Sequence, residues 1–287
     1  MHLTMTQMPP SSPSFARLSD RAVLAVTGPD AASFLQRILS QNVEGMTAGD
    51  LRLGLLLTPQ GRVMHDLMLW RTDDGFEIET TADRRDDLLK RLMLYKLRAD
   101  VTITPQPDRH VVAHWNRDTA PDGEQVARDP RLGALGWRQL ITAPSDPGDL
   151  AAYRQHQMAL GVPDLGADLA DQPYPLDANL DLLQAIDFHK GCFVGQEVTS
   201  RMKRKATLKT RSFACRVTGP TPKVGADIDN AQDLRSGVVT SVLPGWAMTR
   251  LRLDRMQDGP LRAGDSQLVP VVPDWLRPHL PTAEIEP

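Results

Sequence analysis

The sequence predicts an α+β protein of several domains that ends in a small β-barrel. Up to about residue 106, short strands alternate with two amphipathic helices and are joined by Gly, Pro and Asp turns. After residue 206 only short strands separated by Gly/Pro turns remain, which is the pattern of a small barrel. With 287 residues, 41% of them hydrophobic, the chain is long enough for two or three domains.

The first α+β domain is predicted to span residues 15–106, after a disordered tail over residues 1–14. A helix begins at Asp30 as candidate N-cap, and a second helix opens at Asp83. Leu88, Leu92 and Tyr95 recur at helical spacing and give the second helix its inward face. Alternating apolar residues predict the strands of this domain at 22–27, 53–58, 62–70, 76–80 and 101–104.

The second α+β domain is predicted over residues 107–205, with a ferredoxin-like arrangement as one option. It contains strands at 111–115 and 135–142, then a helix that ends at Gly161. A polar segment from 163 to 181 follows, and structureless segments of that length are usually functional or disordered. The barrel domain is predicted over residues 206–287, with a trailing final tail and strands at 211–217, 236–242, 246–253 and 267–272.

Charge and cysteine content exclude several classes of function. The chain has 33 Lys+Arg against 36 Asp+Glu, so no global field draws it to nucleic acid or acidic membranes. No apolar run reaches the length of a transmembrane helix, and the N-terminus lacks the apolar core of a signal peptide. With only two cysteines, Cys192 and Cys215, the chain cannot hold an iron–sulfur cluster or structural zinc on cysteines alone. We therefore expect a reduced, intracellular protein.

The most distinctive stretch surrounds Cys192. Gly191 and Gly195 flank the cysteine, and glycines allow a shaped loop with exposed backbone N–H groups. Lys190 and His189 lie just before it, and a neighbouring cation favours the thiolate form that acts as nucleophile or metal ligand. A tight turn with a buried, inert cysteine is the alternative.

Two further residues extend this stretch into a specific motif. The amide of Gln196 and the carboxylate of Glu197 together suit a heterocycle that carries both donors and acceptors. The run resembles the K-G-C-[YF]-x-G-Q-E signature of the YgfZ family, folate-binding relatives of the glycine-cleavage T-protein that are linked to iron–sulfur cluster assembly and repair. The matching residues are Lys190-Gly191-Cys192-Phe193-Val194-Gly195-Gln196-Glu197.

The resemblance implies a T-protein-like multidomain ring around a central folate cavity and names further site residues. Asp66 matches the second acid of the T-protein pair used at the folate nitrogen, but His65 replaces the first. Tyr153 lies where the family commonly has tryptophan at the pterin pocket, and Asn179 belongs to a Pro-x-Asp-x-Asn-Leu run. For Asp66 a strand-end role, and for Tyr153 a core role, stay open as alternatives. Arg201 begins a basic cluster suited to a folate glutamate tail or an acidic partner.

These observations give one leading hypothesis and two alternatives. The first is a folate-binding accessory factor for assembly or repair of [4Fe–4S] enzymes, with Cys192 as the reactive thiol and Lys190 lowering its pKa. Its ligands would be tetrahydrofolate or a derivative and a transient cluster shared with a carrier or client protein. The alternatives are a folate-dependent aminomethyl transferase using Asp66, and an interaction scaffold with a vestigial pocket. We expect no nucleic acid or membrane partner, and a location in the bacterial cytosol or, in a eukaryote, the mitochondrial matrix.

Overall fold

The computed structural model describes residues 14–142, 146–204, 208–256 and 259–281. The predicted N-terminal tail therefore lies outside the described residues, except for Ser14. The helices are α1 (Ala31–Ile38), α2 (Arg85–Lys96), α3 (Leu150–Ala159) and α4 (Gln196–Arg204). The strands before α4 are β1 (Ser14–Arg17), β2 (Arg21–Thr27), β3 (Leu51–Leu57), β4 (Val63–Thr72), β5 (Gly75–Thr81), β6 (Thr102–Pro105), β7 (His110–Trp115), β8 (Val126–Arg128) and β9 (Trp137–Ile141). Those after it are β10 (Thr210–Thr218), β11 (Asp227–Asp229), β12 (Arg235–Leu243), β13 (Trp246–Arg252), β14 (Leu261–Ala263) and β15 (Ser266–Val271).

The first sheet is antiparallel and has the strand order β3-β4-β5-β2-β6. Its two faces are both covered, which is why strand β4 is buried over eight of its ten residues. Leu67 and Leu69 pack on the face that carries α1 and α2, whereas Met68 and Trp70 point into the core on the other face. Alternation along the strand therefore sends apolar side chains into two separate cores.

The second sheet has the order β1-β7-β9-β8 and carries α3. This sheet packs against the face of the first sheet that does not carry α1 and α2, and the two enclose one core with residues such as Trp115 and Tyr153. Strand β1 pairs with β7, so the described chain passes from this sheet into the first sheet and then returns. The predicted boundary places residues 15–17 in the first domain, whereas their strand pairs in this sheet, because four residues carry no signal for so distant a partner.

The third unit is a closed six-stranded barrel with the order β10-β13-β12-β11-β14-β15. The barrel prediction is confirmed, although the three-residue strands β11 and β14 were missed because they are too short to show alternation. Part of the predicted final tail, which the structure describes up to residue 281, packs against the rest of the chain. Leu276 is fully buried, and the indole N–H of Trp275 donates to the carbonyl of Leu160.

Several local predictions shift by a few residues. Asp30 precedes α1, but its carboxylate accepts a hydrogen bond from the backbone N–H of Asp100 instead of capping its own helix. The helix predicted from Asp83 starts with a 3-10 turn, Ala82–Arg84, before α2. Residues 163–181 are an ordered succession of turns packed between the second sheet and the barrel, with a 3-10 turn at Ala167–Leu169. Within the described residues, no helix combines the length and apolar character needed to span a membrane.

Candidate functional site

The loop that carries Cys192 is fastened to the end of helix α1 by Lys190. Its Nζ donates to the carbonyl oxygens of Gln36, Leu39 and Gln41 at 2.7, 2.7 and 2.8 Å. The last carbonyls of a helix lack partners within the helix and favour a cation, so the ammonium completes this helix end. Burial lowers the pKa of Lys190 to about 8, against the opposing effect of Asp187. All three N–H groups are used by carbonyls, so Lys190 has none left to donate to the thiol.

Gly195 holds the other end of the loop, and its role is internal packing. It has φ +81, and a Cβ there would lie 2.6 Å from the carbonyl oxygen of Thr58. Gly61, in the turn between β3 and β4, packs on the same side, with its Cα 3.1 Å from the position of that Cβ. Gly191 differs, because its backbone lies outside the left-handed region and a Cβ there would meet open space. Of the two glycines that were expected to shape the loop, only Gly195 therefore has φ > 0.

Between these two fixed points the loop exposes Cys192 to solvent. His189 projects from the same loop with a side chain that is 99% exposed, while Phe193 is buried in the core shared by the two sheets. Cys215 lies inside the barrel, where its thiol contacts Thr249 at 3.4 Å and burial raises its pKa to about 12. Of the two cysteines, only Cys192 is thus available for chemistry with another molecule.

The motif residues that follow form the solvent-facing start of α4. Glu197 is 83% exposed and accepts a hydrogen bond from Arg201 at 2.7 Å, one helical turn later. Gln196 is half-buried. The basic cluster that begins at Arg201 also contains Lys203, Lys205 and Arg211. Arg211 is buried and ion-paired with Asp181, and Lys203 binds the same carboxylate at 3.1 Å. Lys205 lies outside the described residues.

Asn179 joins the second unit to the barrel. It is fully buried with φ +61, and its side-chain amide donates to the carbonyl oxygen of Ser212 at 2.8 Å. Its side-chain oxygen has no hydrogen-bond partner among the described residues. Next to it, burial raises the pKa of Asp177 to about 6, although Arg250 and Arg211 oppose this shift. Asn179 therefore orients the junction with strand β10.

Asp66 takes part in a buried network of charges between the two sheets. Arg21 donates to Asp66 through one terminal nitrogen and to Glu79 through Nε at 2.8 Å, and Thr81 donates to Asp66 at 3.1 Å. Glu79 also accepts from Arg138 at 2.5 Å. Burial acts to lower the pKa of Arg21 but the two carboxylates outweigh it, so the pKa rises and the guanidinium stays charged. Removing one member of such a network costs about 3–5 kcal/mol, so Asp66 is firmly held.

The network continues to Tyr153. Arg138 donates to Asp129 at 2.9 Å, and Asp129 also binds Arg131, whose guanidinium donates to the Tyr153 hydroxyl at 3.2 Å. Tyr153 is fully buried, with its ring 5.4 Å from that of Trp115. This ring has no free face for a ligand, so the structure favours the core alternative over the stacking platform.

His65, which replaces the first acid of the T-protein pair, points to the opposite face of the sheet. Its Nε2 lies 2.9 Å from a carboxylate oxygen of Asp87 on α2. Burial lowers the pKa of His65, with a further contribution from Arg84. Because residues 65 and 66 alternate across strand β4, His65 does not take over the position of the missing acid beside Asp66.

A cavity of about 880 Å³ lies where the three units meet. It is lined by the 3-10 turn before α2, by α3, by residues 162–172 and by the end of β12. Thr81, which donates to Asp66, stands on its wall, and Arg154 bridges Asp20 and Asp164 at its edge. Its volume falls within the range of small-molecule sites.

Sequence reasoning missed the charged residues between the sheets. Arg21, Glu79 and Arg138 are charged residues of β2, β5 and β9, and charged side chains are expected to face solvent. Their side chains are buried because the two sheets cover each other at this face. The sequence does show that these three strands carry charges of both signs. Among the described residues, no three His, Cys, Asp or Glu side chains form a group able to hold a metal ion.

The fold and the loop define a T-protein-like protein. Residues 18–113 match the GCVT N-terminal domain, and residues 204–278 match the CAF17 C-terminal beta-barrel domain. The crystal structure of the glycine cleavage system aminomethyltransferase T from Bartonella henselae superposes with a TM-score of 0.72, over 90% of this chain and 84% of that one, at 18% identity. This likeness shows the fold alone, and it confirms the predicted aminomethyltransferase-like architecture.

Curated relatives identify the family within this class. The mouse mitochondrial iron-sulfur cluster assembly factor IBA57 is 31% identical over 90% of this chain and 84% of its own length. The human protein of the same name shows the same identity and coverage. The chain therefore belongs to the IBA57 family.

Proposed function

We propose that this protein is an accessory factor for the assembly or repair of [4Fe–4S] proteins. We propose that the Cys192 thiol ligates a cluster that a partner protein also ligates. The observation that carries the proposal is the exposed Cys192, on a loop fixed at Lys190 and Gly195. The other cysteine is buried, so any cluster bound here needs ligands from a second molecule. The resemblance of residues 190–197 to the YgfZ signature and the function named for the IBA57 relatives support it.

The local geometry suits a shared ligand better than a buried nucleophile. A rigid, exposed thiol can reach an iron atom held on a partner's surface, whereas a covalent catalyst needs a pocket for its substrate. His189, also exposed, is a second donor on the same loop. We propose that this work takes place in the bacterial cytosol or, in a eukaryote, in the mitochondrial matrix.

The test is anaerobic reconstitution of a cluster on mixtures of this protein with candidate cluster carriers, followed by absorbance and Mössbauer spectroscopy. Cys192→Ser is expected to abolish the cluster species that depends on the mixture. Cys215→Ala is the matched control and is expected to leave it unchanged. A mixed cluster that forms equally well with Cys192→Ser would overturn the proposal.

We propose in addition that the cavity between the three units binds tetrahydrofolate or a derivative. Its volume and its apolar lining from Met158, Val162 and Val242 suit a ring system. Arg84 on its wall is the cation for an acidic tail, since Arg154 is already paired with Asp20 and Asp164. Calorimetric titration with tetrahydrofolate tests this, with Val242→Trp as the variant that fills the cavity. No heat of binding to the wild type would favour a scaffold with a vestigial pocket.

The structure offers less support for the aminomethyl transferase alternative. Both oxygens of Asp66 are already bonded, to Arg21 and Thr81, and His65 faces the other side of the sheet. A general base must reach the proton that it abstracts. Turnover of an aminomethyl donor with tetrahydrofolate, lost in Asp66→Asn, is the result that would favour the enzyme over the accessory factor.

A further inference from the structure

We propose that the exposed end of α2 is the docking surface for an acidic iron–sulfur protein, the one that meets Cys192. The inference rests on the proposed function and goes beyond it, because it names where this partner binds and by what chemistry. The surface, called here the α2 surface, consists of three apolar residues inside a rim of cations: Met93, Leu94 and Leu97, with Arg37, Lys90, Lys96 and Arg98.

Helix α2 is apolar on two faces although only one is covered. Leu88 and Leu92 are fully buried in the core beneath the first sheet. On the outer side, Met93, Leu94 and Leu97 are 51%, 75% and 87% exposed. A surface helix normally has one apolar stripe, and adjacent exposed apolar side chains mark an interaction site more often than isolated ones do. The outer face therefore has the composition of an interface core.

Leu97 is held outward by an unusual backbone. As the C-cap of α2 it has φ 47 and ψ −108, a positive-φ conformation outside the left-handed helical region that residues other than glycine rarely adopt. The fold gains nothing from a leucine here, because its side chain is almost wholly exposed. A strained backbone that presents an apolar side chain to solvent is typical of a functional surface.

The charges around the apolar residues select the kind of partner. Arg37, Lys90, Lys96 and Arg98 form no ion pair with any carboxylate in the described part of the chain. Arg37, Lys96 and Arg98 line a shallow groove of about 710 Å³, where they outnumber the one carboxylate of the lining, Asp30. The whole chain carries a net charge of −3, so this local excess of cations runs against the overall charge. A partner with an apolar patch and an acidic rim matches it, because complementary charges speed association and fix orientation.

The α2 surface is connected to the cysteine loop through helix α1. Arg37 lies in the last turn of α1 and lines the groove, while the carbonyls of Gln36 and Leu39 bind Lys190. Cys192 follows two residues later. Helix α1 is only eight residues long, about 12 Å. An interface of ordinary size, about 800 Å² per partner, is large enough to cover both the α2 surface and the loop.

Site-specific photo-crosslinking in the full chain tests the proposal. A benzophenone amino acid replaces Leu94 on the α2 surface, His189 on the cysteine loop or, as control, Val224 on the barrel, which is 61% exposed. Crosslinks form in living cells, and mass spectrometry identifies the captured peptides. We expect positions 94 and 189 to capture the same iron–sulfur protein, through a segment of net negative charge at position 94. Position 224 is expected to capture none of it.

The charge requirement is tested by the double variant Arg37→Glu, Arg98→Glu. It is expected to reduce capture at position 94 about tenfold or more, since long-range attraction and orientation are both lost. Lys223→Glu, a reversal of one exposed charge on the barrel, is the control and should leave the yield unchanged. Thermal unfolding of each variant confirms that it is folded.

The outcomes separate this inference from the proposed function. Capture of an iron–sulfur protein at position 189 but not at 94 overturns the docking surface and leaves the function standing. Crosslinks at position 94 to a second copy of the chain, to lipid or to a protein without a cluster overturn it too, as does a yield insensitive to charge reversal. If Cys192→Ser also forms the mixed cluster, it is the proposed function that fails.

Discussion

The attachment of the cysteine loop to helix α1 can be tested by the substitution Lys190→Met. Methionine keeps most of the length and the apolar stem but removes the ammonium that donates to three carbonyls at 2.7–2.8 Å. A hydrogen bond with a charged partner contributes about 1.5–3 kcal/mol. Because water can reach some of these carbonyls once the loop opens, we expect a loss near 3 kcal/mol rather than the full sum.

Hydrogen exchange of the loop measures this loss locally. The N–H groups of His189 and Lys190 donate to the carboxylate of Asp187 and report on whether the loop is closed. A loss of about 3 kcal/mol in the opening free energy speeds exchange about a hundredfold in a peptide covering residues 187–195. Peptides from strand β13 should not change, since they lie in the barrel.

The matched control is Lys203→Met, which removes a half-exposed ion pair with Asp181 that is worth at most about 1 kcal/mol. If Lys190→Met speeds loop exchange less than about threefold, or no more than the control does, Lys190 does not anchor the loop. Its role would then have to be sought in its charge near Cys192, as the sequence first suggested.

Two further predictions concern a glycine and a buried acid. Gly195→Ala is expected to destabilise the protein by about 2–3 kcal/mol, because of φ +81 and the contact of the added Cβ with Thr58, whereas Gly191→Ala is expected to be near neutral. The denaturant midpoints of the two variants measure this difference, and equal shifts would contradict the packing of Gly195. Burial, with a contribution from Asp164, raises the pKa of Asp168 from 3.8 to about 6. As the pH falls, the folded state therefore binds this proton at a higher pH than the unfolded state does. The contribution of Asp168 to the free energy of unfolding is largest below pH 4 and falls by about 3 kcal/mol as the pH rises through 6. Asp168→Asn should remove this decline from unfolding curves measured between pH 4 and 7, and an unchanged decline would refute the assignment.

The parts of the fold that follow local rules could be predicted from the sequence. Helix α1 is amphipathic, with Phe34 and Leu35 on its buried face, and the Gly/Pro turns of the barrel separate its longer strands clearly. Strand β1 could not be placed, because its partner β7 lies about a hundred residues away and four residues carry no signal for such a pairing. The barrel strands β11 and β14 were missed for the same reason of length.

For the candidate site, the structure decides the exposure of the thiol and supplies contacts that the sequence could not give. Of the exposed and buried alternatives left open for Cys192, the structure has the exposed one. The sequence suggested that Lys190 activates this thiol, but a three-carbonyl acceptor at the end of α1 is created by the fold and cannot be read from spacing. Likewise Asp66 and Tyr153 were expected at an open pocket, yet Arg21 and Arg131 reach them across two sheets.

The comparison of Asp66 with His65 shows where alternation decides more than motif matching. The two neighbours match positions of an acidic pair in sequence, but successive side chains on β4 point to opposite faces. One enters the charge network and the other binds helix α2. His65 in place of the first acid therefore affects the side of the sheet that faces α2, and the charge network around Asp66 is left intact.

The proposed function depends on Cys192 ligating a cluster jointly with a partner protein. The most direct measurement is Mössbauer and absorbance spectroscopy of the isolated complex between this protein and an iron–sulfur carrier, reconstituted with ⁵⁷Fe under anaerobic conditions. We expect a cluster bound across the two chains that disappears with Cys192→Ser and survives Cys215→Ala. A cluster of unchanged spectrum and yield in the Cys192→Ser complex would contradict it.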